Sequence, residues 1–201
     1  MKKRITATAQ TAVALPPVLE FGTVSEFELV WTDKGSGTHR DGAFYHPKPP
    51  AGWFLLGDYG QGNHQDPTGH VFVIRVTEND DPEHPVLATP TGWVKVWDDQ
   101  GSGANHNGSF WAPIPPFGYV ACGHAVNREH NKWPVRPNFR CLRYDLARSV
   151  ALGGLIWTDN GSGANADVAV YRVPELNVLW AIPSYETPTE RVDIPGVLIS
   201  P

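Results

Sequence analysis

The stretch WDDQGSGANHNGSFWAPIPPFGYVACG, residues 97–123, carries the features that decide the fold. It combines two tryptophans, a Gly-Ser-Gly triplet, a Pro-Pro pair and a Gly-Tyr pair. Two other segments, WTDKGSGTHRDGAFYHPKPPAGWFLLG from Trp31 and WTDNGSGANADVAVYRVPELNVLWAIP from Trp157, align with it without a gap over 27 residues. A pattern that occurs three times at this length indicates a structural repeat before it indicates a functional site.

Each copy of the repeat has the sequence of short strands joined by turns. An apolar run ends at the tryptophan, and an Asp two residues later can hydrogen-bond the backbone of a turn. The glycines that follow supply the positive φ angles of a loop. A second strand with an aromatic residue comes next, and Pro-Pro then forces a turn, because proline cannot lie inside a central strand. A third strand, a variable polar loop and a fourth strand complete the unit.

These features predict an all-β protein, a β-prism of three four-stranded antiparallel sheets with pseudo-threefold symmetry. No window carries a sustained helical pattern of apolar residues at i, i+3, i+4 and i+7. We expect an N-terminal arm over residues 1–24 and a single domain over 25–201, built of repeats at 25–85, 92–146 and 152–200. The third copy lacks the Pro-Pro and Gly-aromatic pairs, so its turn must be built differently.

Composition limits the classes of partner. The net charge of −5 argues against nucleic acid and against strong electrostatic attraction to anionic membranes. The N-terminus, MKKRITATAQTAVALPP, starts basic but lacks a strong apolar region, so we find no clear signal peptide. We expect a soluble protein that is released or acts at a target-cell surface. Cys122 and Cys141 could form one disulfide or remain buried thiols, and we favour thiols.

The repeated W-x-D-x-G-S-G phrase, the aromatic strand, the Pro-Pro turn and the RCLRYDL strand resemble the vacuolar protein sorting-associated protein 62 family. The resemblance covers roughly residues 25 to 200. The layout is also similar to β-prisms such as jacalin-type lectins, the membrane-binding prism of multivesicular-body subunits, and cell-targeting modules of bacterial pore-forming and insecticidal proteins. The resemblance implies a binding role, although a fold alone does not fix a function.

The candidate ligand-binding residues lie in the Gly-Ser-Gly loop of each copy. Short polar side chains and backbone donors there could bind a sugar beside the aromatic column Tyr45, Trp111 and Tyr171, although we favour a core position for that column. The predicted residues are Asp33, Gly35, Ser36, Gly37 and Asp41 in the first copy, Asp99, Gly101, Ser102, Gly103 and Asn107 in the second, and Asp159, Gly161, Ser162, Gly163 and Asp167 in the third.

Other chemistries fit the sequence less well. The Gly-Ser-Gly loop lacks the Lys-Ser/Thr ending of a phosphate-binding loop, and no nucleophile-elbow G-x-S-x-G occurs. Calcium binding is an alternative for the two acidic columns, but turn formation explains them more simply. His39 and His106 occur in two loops and the third has Ala166, which excludes a zinc site repeated by symmetry. We therefore predict no cofactor, no metal and no catalytic residue.

The sequence predicts a non-enzymatic module that binds glycans or lipid headgroups at a cell surface, with up to three weak sites acting through avidity. One alternative is the targeting component of a pore-forming or insecticidal toxin system, which implies a toxin partner protein. Another is a hydrolase with a site in one variable loop. The long polar loops around His64 and His130 are a second place for the binding site, because recognition commonly resides in variable loops on a repeated frame.

Overall fold

The structure is a computed structural model that describes residues 15–196. The described part is all-β apart from a short 3-10 turn at Tyr144–Leu146, and no helix in it is long and apolar enough to cross a membrane. The strands are β1 (Val18–Val24), β2 (Phe27–Thr32), β3 (Ala43–Pro47), β4 (Phe54–Leu55), β5 (Tyr59–Gln61), β6 (Val71–Glu78), β7 (Leu87–Ala88), β8 (Gly92–Asp98), β9 (Ser109–Ile114), β10 (Tyr119–Val120), β11 (Ala125–Asn127), β12 (Cys141–Arg143), β13 (Ala147–Ala151), β14 (Leu155–Thr158), β15 (Ala169–Val173), β16 (Val178–Ile182) and β17 (Arg191–Pro195).

Each copy of the repeat divides its strands between two antiparallel sheets. The Gly-Ser-Gly loop joins the first two strands of a loop-bearing sheet, and these sheets are β2-β3-β5, β8-β9-β11 and β14-β15-β16. The flanking sheets are β1-β6-β4, β7-β12-β10 and β13-β17. The all-β prediction is confirmed, but residues 15–196 do not form the predicted four-stranded sheets. The Pro-Pro turn sends β4 and β10 to pair with β6 and β12, and the chain returns to the loop-bearing sheet only at β5 and β11.

The third copy omits the strand that follows the Pro-Pro turn. In register, Ala43 pairs with Gln61, Ser109 with Asn127, and Ala169 with Ile182. β16 therefore corresponds to β5 and β11, and the gapless alignment of NVLWAIP with GWFLLG does not hold in space. Glu175 and Asn177 have φ of 64° and 60°, so a tighter turn replaces the Pro-Pro turn, as expected.

The described part of the N-terminal arm belongs to the β framework. β1 lies inside the predicted arm 1–24 and pairs with β6 along its whole length, from Val18 opposite Glu78 to Val24 opposite Val71. The basic segment considered as a signal peptide falls mostly in residues 1–14, which lie outside the described residues. The end of the predicted third repeat, residues 197–200, also lies outside them.

Two closed rings of backbone hydrogen bonds connect equivalent positions of the three copies. At one end, the N–H groups of Asn105, Asn165 and His39 donate to the carbonyls of Lys34, Gln100 and Asn160 respectively, so each loop binds the loop of the preceding copy. At a second level, Asp58 N–H donates to His124 O, His124 N–H to Leu179 O, and Leu179 N–H back to Asp58 O. The rings fix the mutual positions of the three copies.

The core close to the loops is built on the three repeated tryptophans. Trp31, Trp97 and Trp157 are at most 3% exposed, and their ring centroids lie 5.4 to 5.7 Å apart. Phe44 and Phe110 pack against them. Buried aromatic side chains contribute large apolar area as well as ring-to-ring contacts. A second buried cluster connects the loop-bearing sheets to the flanking sheets.

Candidate functional site

The Gly-Ser-Gly loops use left-handed backbone conformations in all three copies. Gly37, Gly103 and Gly163 have φ of 76°, 72° and 76°, and the preceding glycines of the triplets have φ between 90° and 92°. Residues with a Cβ rarely adopt this region, so the prediction that these glycines supply positive φ is confirmed. The loops are therefore shaped by their glycines and then joined by the first backbone ring.

The repeated aspartates are buried acceptors that hold each loop closed. Asp33, Asp99 and Asp159 are at most 5% exposed. In each, Oδ1 accepts the backbone N–H nine residues later, from Gly42 at 3.0 Å, Gly108 at 2.9 Å and Val168 at 2.9 Å. A buried carboxylate with such partners maintains structure, and its role is the turn that the sequence predicts for this column.

The repeated serines are also turned inward. Ser36, Ser102 and Ser162 are 5–7% exposed, and each hydroxyl oxygen accepts a backbone N–H two residues later in its own loop. These side chains are therefore not presented to a ligand, and the glycines beside them offer only backbone. The serine and first aspartate columns of the predicted ligand-binding set serve the loop itself.

The variable loops contribute a third repeated feature that the sequence alignment missed. His64 Nε2 donates to Asp33 Oδ1 at 2.6 Å, His130 Nε2 donates to Asp99 Oδ1, and Tyr185 donates its hydroxyl to Asp159 Oδ1 at 2.6 Å. Each donor lies three residues after the end of β5, β11 or β16. This constant offset could have identified the three donors from the sequence. In the gapless alignment, however, the shorter third copy places Tyr185 out of line with His64 and His130.

The outer aspartate or asparagine of each loop faces solvent. Asp41, Asn107 and Asp167 are exposed, and the Asp41 side chain keeps 64% of its accessible surface. The neighbours Asn105 and Asn165 are also exposed. The structure thus brings the three loops together at one end of the molecule, where they form a polar surface that also includes exposed Lys34, His39, Arg40 and His106.

One loop gathers three groups of the kind that bind metal ions. Ligand atoms of Asp33, Asp41 and His64 lie within 4.8 Å of one another. However, Asp33 already accepts hydrogen bonds from Gly42, from Thr38 and, at 2.7 Å, from the indole of Trp157. A metal would have to displace these buried donors, so the geometry favours a structural hydrogen-bond network here.

The aromatic column is largely part of the core. Tyr45 and Trp111 are 6% and 4% exposed, and the Trp111 indole donates to Ser109 Oγ. Tyr171 is half-buried. The expectation that this column faces inward is confirmed for Tyr45 and Trp111, which offer no face for a sugar to stack on.

A cavity lies between the first and second copies, beside the second loop. Its volume is about 610 Å³, and Leu29 to Thr32 of β2 form one wall. The other wall is formed by Asn105, His106, Asn107, Arg128 and Glu129. Arg128 crosses between the copies, and its guanidinium donates to the carbonyls of Leu29 and Val30. One predicted residue, Asn107, therefore borders a concave polar site of a size that suits a small ligand.

A smaller cavity of about 160 Å³ adjoins the first and shares Val30 and Arg128 with it. His46 and Arg136 line it, and both contact the fully buried carboxylate of Asp58. Burial raises the pKa of Asp58, but Arg136 and hydrogen bonds from His46 and the Val126 N–H outweigh it and hold the pKa below its usual value. Asp58 is therefore ionised.

Comparison with known proteins gives the family. The family model described as Vacuolar protein sorting-associated protein 62 matches residues 5–177. The chain belongs to this family. Its repeated tryptophan-to-proline segments, which form the loop-bearing sheets, lie within the matched range except for the last residues of the third copy.

A solved structure has a fold similar to that of this chain. The chain is similar to the crystal structure of GNIP1Aa from Chromobacterium piscinae, with 29% sequence identity and a TM-score of 0.74. The match covers 86% of this chain and 34% of GNIP1Aa, so the chain corresponds to about a third of that protein. The comparison with curated proteins gives no match.

Proposed function

We propose that this protein is a non-enzymatic binding module that recognises glycans at a cell surface through its loop-bearing end. The observation that carries the proposal is that each loop has one buried polar residue that maintains its shape and one exposed polar residue that is free to contact a ligand. Asp33, Asp99 and Asp159 are buried and hold the loops, whereas Asp41, Asn107 and Asp167 are exposed on the same rigid frame. Rigid presentation lowers the conformational cost of binding.

The polar character of this end suits sugar hydroxyls. The exposed loop groups include short carboxylates, amides and glycine backbone together with Lys34, His39, Arg40 and His106, and the cavity of about 610 Å³ opens beside Asn107. Such groups donate and accept hydrogen bonds without the density of cations that nucleic acid requires. The three loops differ in detail, so we expect the copy beside the cavity to bind most strongly.

A lipid surface is the second candidate, supported by a different part of the molecule. Phe117, at the tip of the Pro-Pro turn in the second copy, is completely exposed, and Tyr144 beside it is 66% exposed. The Tyr144 N–H donates to Gly118 O, so the backbone segments that carry the two exposed aromatic residues are hydrogen-bonded to each other. Exposed aromatic side chains of this kind insert at the headgroup level of bilayers.

The similarity to about a third of GNIP1Aa supports a role as one module of a larger system. On this proposal the chain supplies target binding for a partner, and a pore-forming or insecticidal toxin system is the alternative biological setting. The chemistry of the binding step would be the same in either setting.

A glycan array with the purified protein tests the first candidate. We expect binding to a defined set of glycans, and at least a tenfold loss of affinity when Asp41, Asn107 and Asp167 are changed together to Ala, which is about 1.4 kcal/mol. The matched control is Glu78→Ala with Glu190→Ala, two exposed acidic residues outside the loops. The control should bind like the wild type, and both variants should melt within about 2 °C of it, because exposed polar groups contribute little stability.

Vesicle flotation, which measures binding to lipid bilayers, distinguishes the lipid-surface candidate from the glycan candidate. If phosphatidylcholine vesicles bind the protein and Phe117→Ser abolishes that binding while the array stays empty, the glycan proposal is wrong. Loss of array binding in the triple loop variant, with vesicle binding absent, supports the glycan proposal.

A further inference from the structure

We propose that the smaller cavity between the first and second copies binds a sulfate group carried by the target glycan. The inference rests on the proposed glycan-binding function and specifies the chemical class of its ligand. The cavity has room for one tetrahedral oxyanion, at about 160 Å³, and Arg128, Arg136 and His46 line it.

The first observation is a buried donor without a protein partner. Arg136 keeps only 11% of its side-chain surface, and its Nε–H has no acceptor among the described residues. Its terminal nitrogens are occupied, since Nη2 donates to Val126 O at 2.7 Å and Nη1 to Val135 O at 3.2 Å. A buried unsatisfied donor is rare in proteins and calls for a ligand or an ordered water.

Arg128 supplies a second cation at the opening. Its Nε donates to Val30 O at 2.9 Å, and Nη2 donates to Leu29 O. These bonds fix the guanidinium across the gap between the copies and leave Nη1 without a protein partner among the described residues. Two arginines that line one small cavity, each with an N–H group left without a protein acceptor in the described part of the chain, match the several oxygens of a sulfate, because the planar donor geometry of arginine suits oxyanions.

Asp58 positions two of the side chains that line the smaller cavity. Its Oδ1 accepts from His46 Nδ1 at 2.8 Å, its Oδ2 lies 3.5 Å from Arg136 Nη2, and Oδ2 also accepts the Val126 N–H at 2.9 Å. The carboxylate is completely buried and is engaged by these partners. It therefore holds His46 and Arg136 in place.

The two adjoining cavities explain why the anion would be part of a glycan. The larger one is lined by residues of β2, by the amides of Asn105 and Asn107, and by Arg128 and Glu129, a mixture of apolar and hydrogen-bonding groups that suits a sugar ring. It shares Val30 and Arg128 with the smaller one, so a sulfate on that ring could reach the guanidinium groups. Glu28 is the carboxylate that lines the smaller cavity and opposes an anion there.

The equivalent gap between the third and first copies is closed. Gly62 occupies the position of Arg128 in the first copy, and a Cβ there would lie 2.9 Å from Ile156 O. Arg40 also donates to Leu155 O across this boundary. The boundary between the third and first copies therefore lacks the arginine that lines the smaller cavity, and we expect no sulfate site there.

Titration calorimetry with inorganic sulfate, against chloride at matched ionic strength, tests the anion site directly. We expect one-to-one sulfate binding to the wild type, a loss of about tenfold or more in Arg128→Gln, and a gain of about twofold in Glu28→Gln, because removing a carboxylate favours an anion. Arg191→Gln is the matched control, since Arg191 also donates to a backbone carbonyl, that of Ser149, on an exposed surface. It should bind sulfate like the wild type.

Binding of a heparin-derived sulfated disaccharide, compared with that of its desulfated counterpart, then tests whether the bound sulfate group is carried by a glycan. Tighter binding of the sulfated sugar that disappears in Arg128→Gln supports the proposal. No one-to-one sulfate binding by the wild type overturns the sulfate site, whereas equal binding of both sugars overturns it and leaves the glycan function standing. If Arg128→Gln instead reduces binding only to vesicles that contain phosphatidylinositol phosphate, the anion is a lipid phosphate and the glycan source is wrong.

Discussion

The indole Nε1 of Trp157 donates a hydrogen bond to Oδ2 of Asp33 at 2.7 Å, which joins the third copy of the repeat to the first across 124 positions of sequence. The other two repeated tryptophans also hydrogen-bond to the next copy, but their acceptors are backbone carbonyls instead of a side chain. Trp31 donates to His106 O and Trp97 to Ala166 O, both backbone acceptors in the following loop. Each tryptophan therefore binds the loop of the next copy, and the Trp157 bond links the third copy back to the first.

Replacing Asp33 by Ala should destabilise the protein far more than replacing Asp41. The change leaves the buried donors of Trp157 and Gly42 without an acceptor, and each such loss costs about 1–3 kcal/mol. Asp41 is exposed, so Asp41→Ala should change the free energy of unfolding by less than about 0.5 kcal/mol. Urea unfolding followed by tryptophan fluorescence measures both, and equal losses would contradict the structural role of Asp33.

Valine at Gly103 should cost more than about 1 kcal/mol of folding free energy. The residue has a φ of 72°, a conformation that a β-branched side chain strains to adopt. We expect the same for Gly37 and Gly163. Gly154→Val is the control, because a Cβ there has open space and the glycine has no left-handed φ. The melting temperature should fall in the three loop variants, and a fall of equal size in Gly154→Val would argue against the loop strain.

Stability should decrease as the pH falls from about 6.5 towards 3 because of His124. Burial lowers the pKa of His124 to about 3, whereas an unfolded chain has a histidine pKa of about 6.5. Between these values the unfolded state binds more protons, so the free energy of unfolding falls with decreasing pH, by about 1 kcal/mol per unit. His124 Nδ1 accepts the Ala181 N–H, and its ring stacks on Trp180, so the neutral form is the one that fits.

Denaturant unfolding curves recorded between pH 4 and 7 measure how the free energy of unfolding depends on pH, and His124→Gln should weaken that dependence. His84→Gln is the control, because the His84 side chain is 74% exposed. If the pH slope of the wild type persists in His124→Gln, another group is responsible. Asp58, whose pKa is held low, adds to the loss of stability at the acid end of this range, where its carboxyl protonates in the unfolded chain, so the comparison of His124→Gln with the wild type is made above about pH 5.

The two cysteines should be nearly inert in the folded protein. Both are buried and free. Burial raises the pKa of Cys141 to about 12, and burial also raises the pKa of Cys122, so the reactive thiolate is scarce at pH 8. We expect labelling by Ellman's reagent to be on the order of 100-fold slower in the native protein than in guanidinium chloride. Two thiols that react at the denatured rate under native conditions would contradict their burial.

The sequence alone determined the repeat and the local geometry of its loops. Three aligned copies with Gly-Ser-Gly after an aspartate require a turn with positive φ, because only glycine adopts that backbone at low cost. Gly37, Gly103 and Gly163 behave as this local rule demands. The inward position of Tyr45 and Trp111 also follows from strand alternation and aromatic burial, so these features could be read from neighbouring residues in the chain.

The tertiary structure decided which strands pair and which side chains meet. β4 and β10 leave the loop-bearing sheets, and β16 replaces β5 rather than β4, because pairing depends on contacts between distant segments. The contacts of His64 with Asp33 and of Arg128 with β2 join residues at least 31 positions apart, so they depend on how distant segments of the chain pack together. The candidate sulfate site lies where copies one and two meet, because the side chains of His46 and Arg136, 90 positions apart in sequence, both contact Asp58 there.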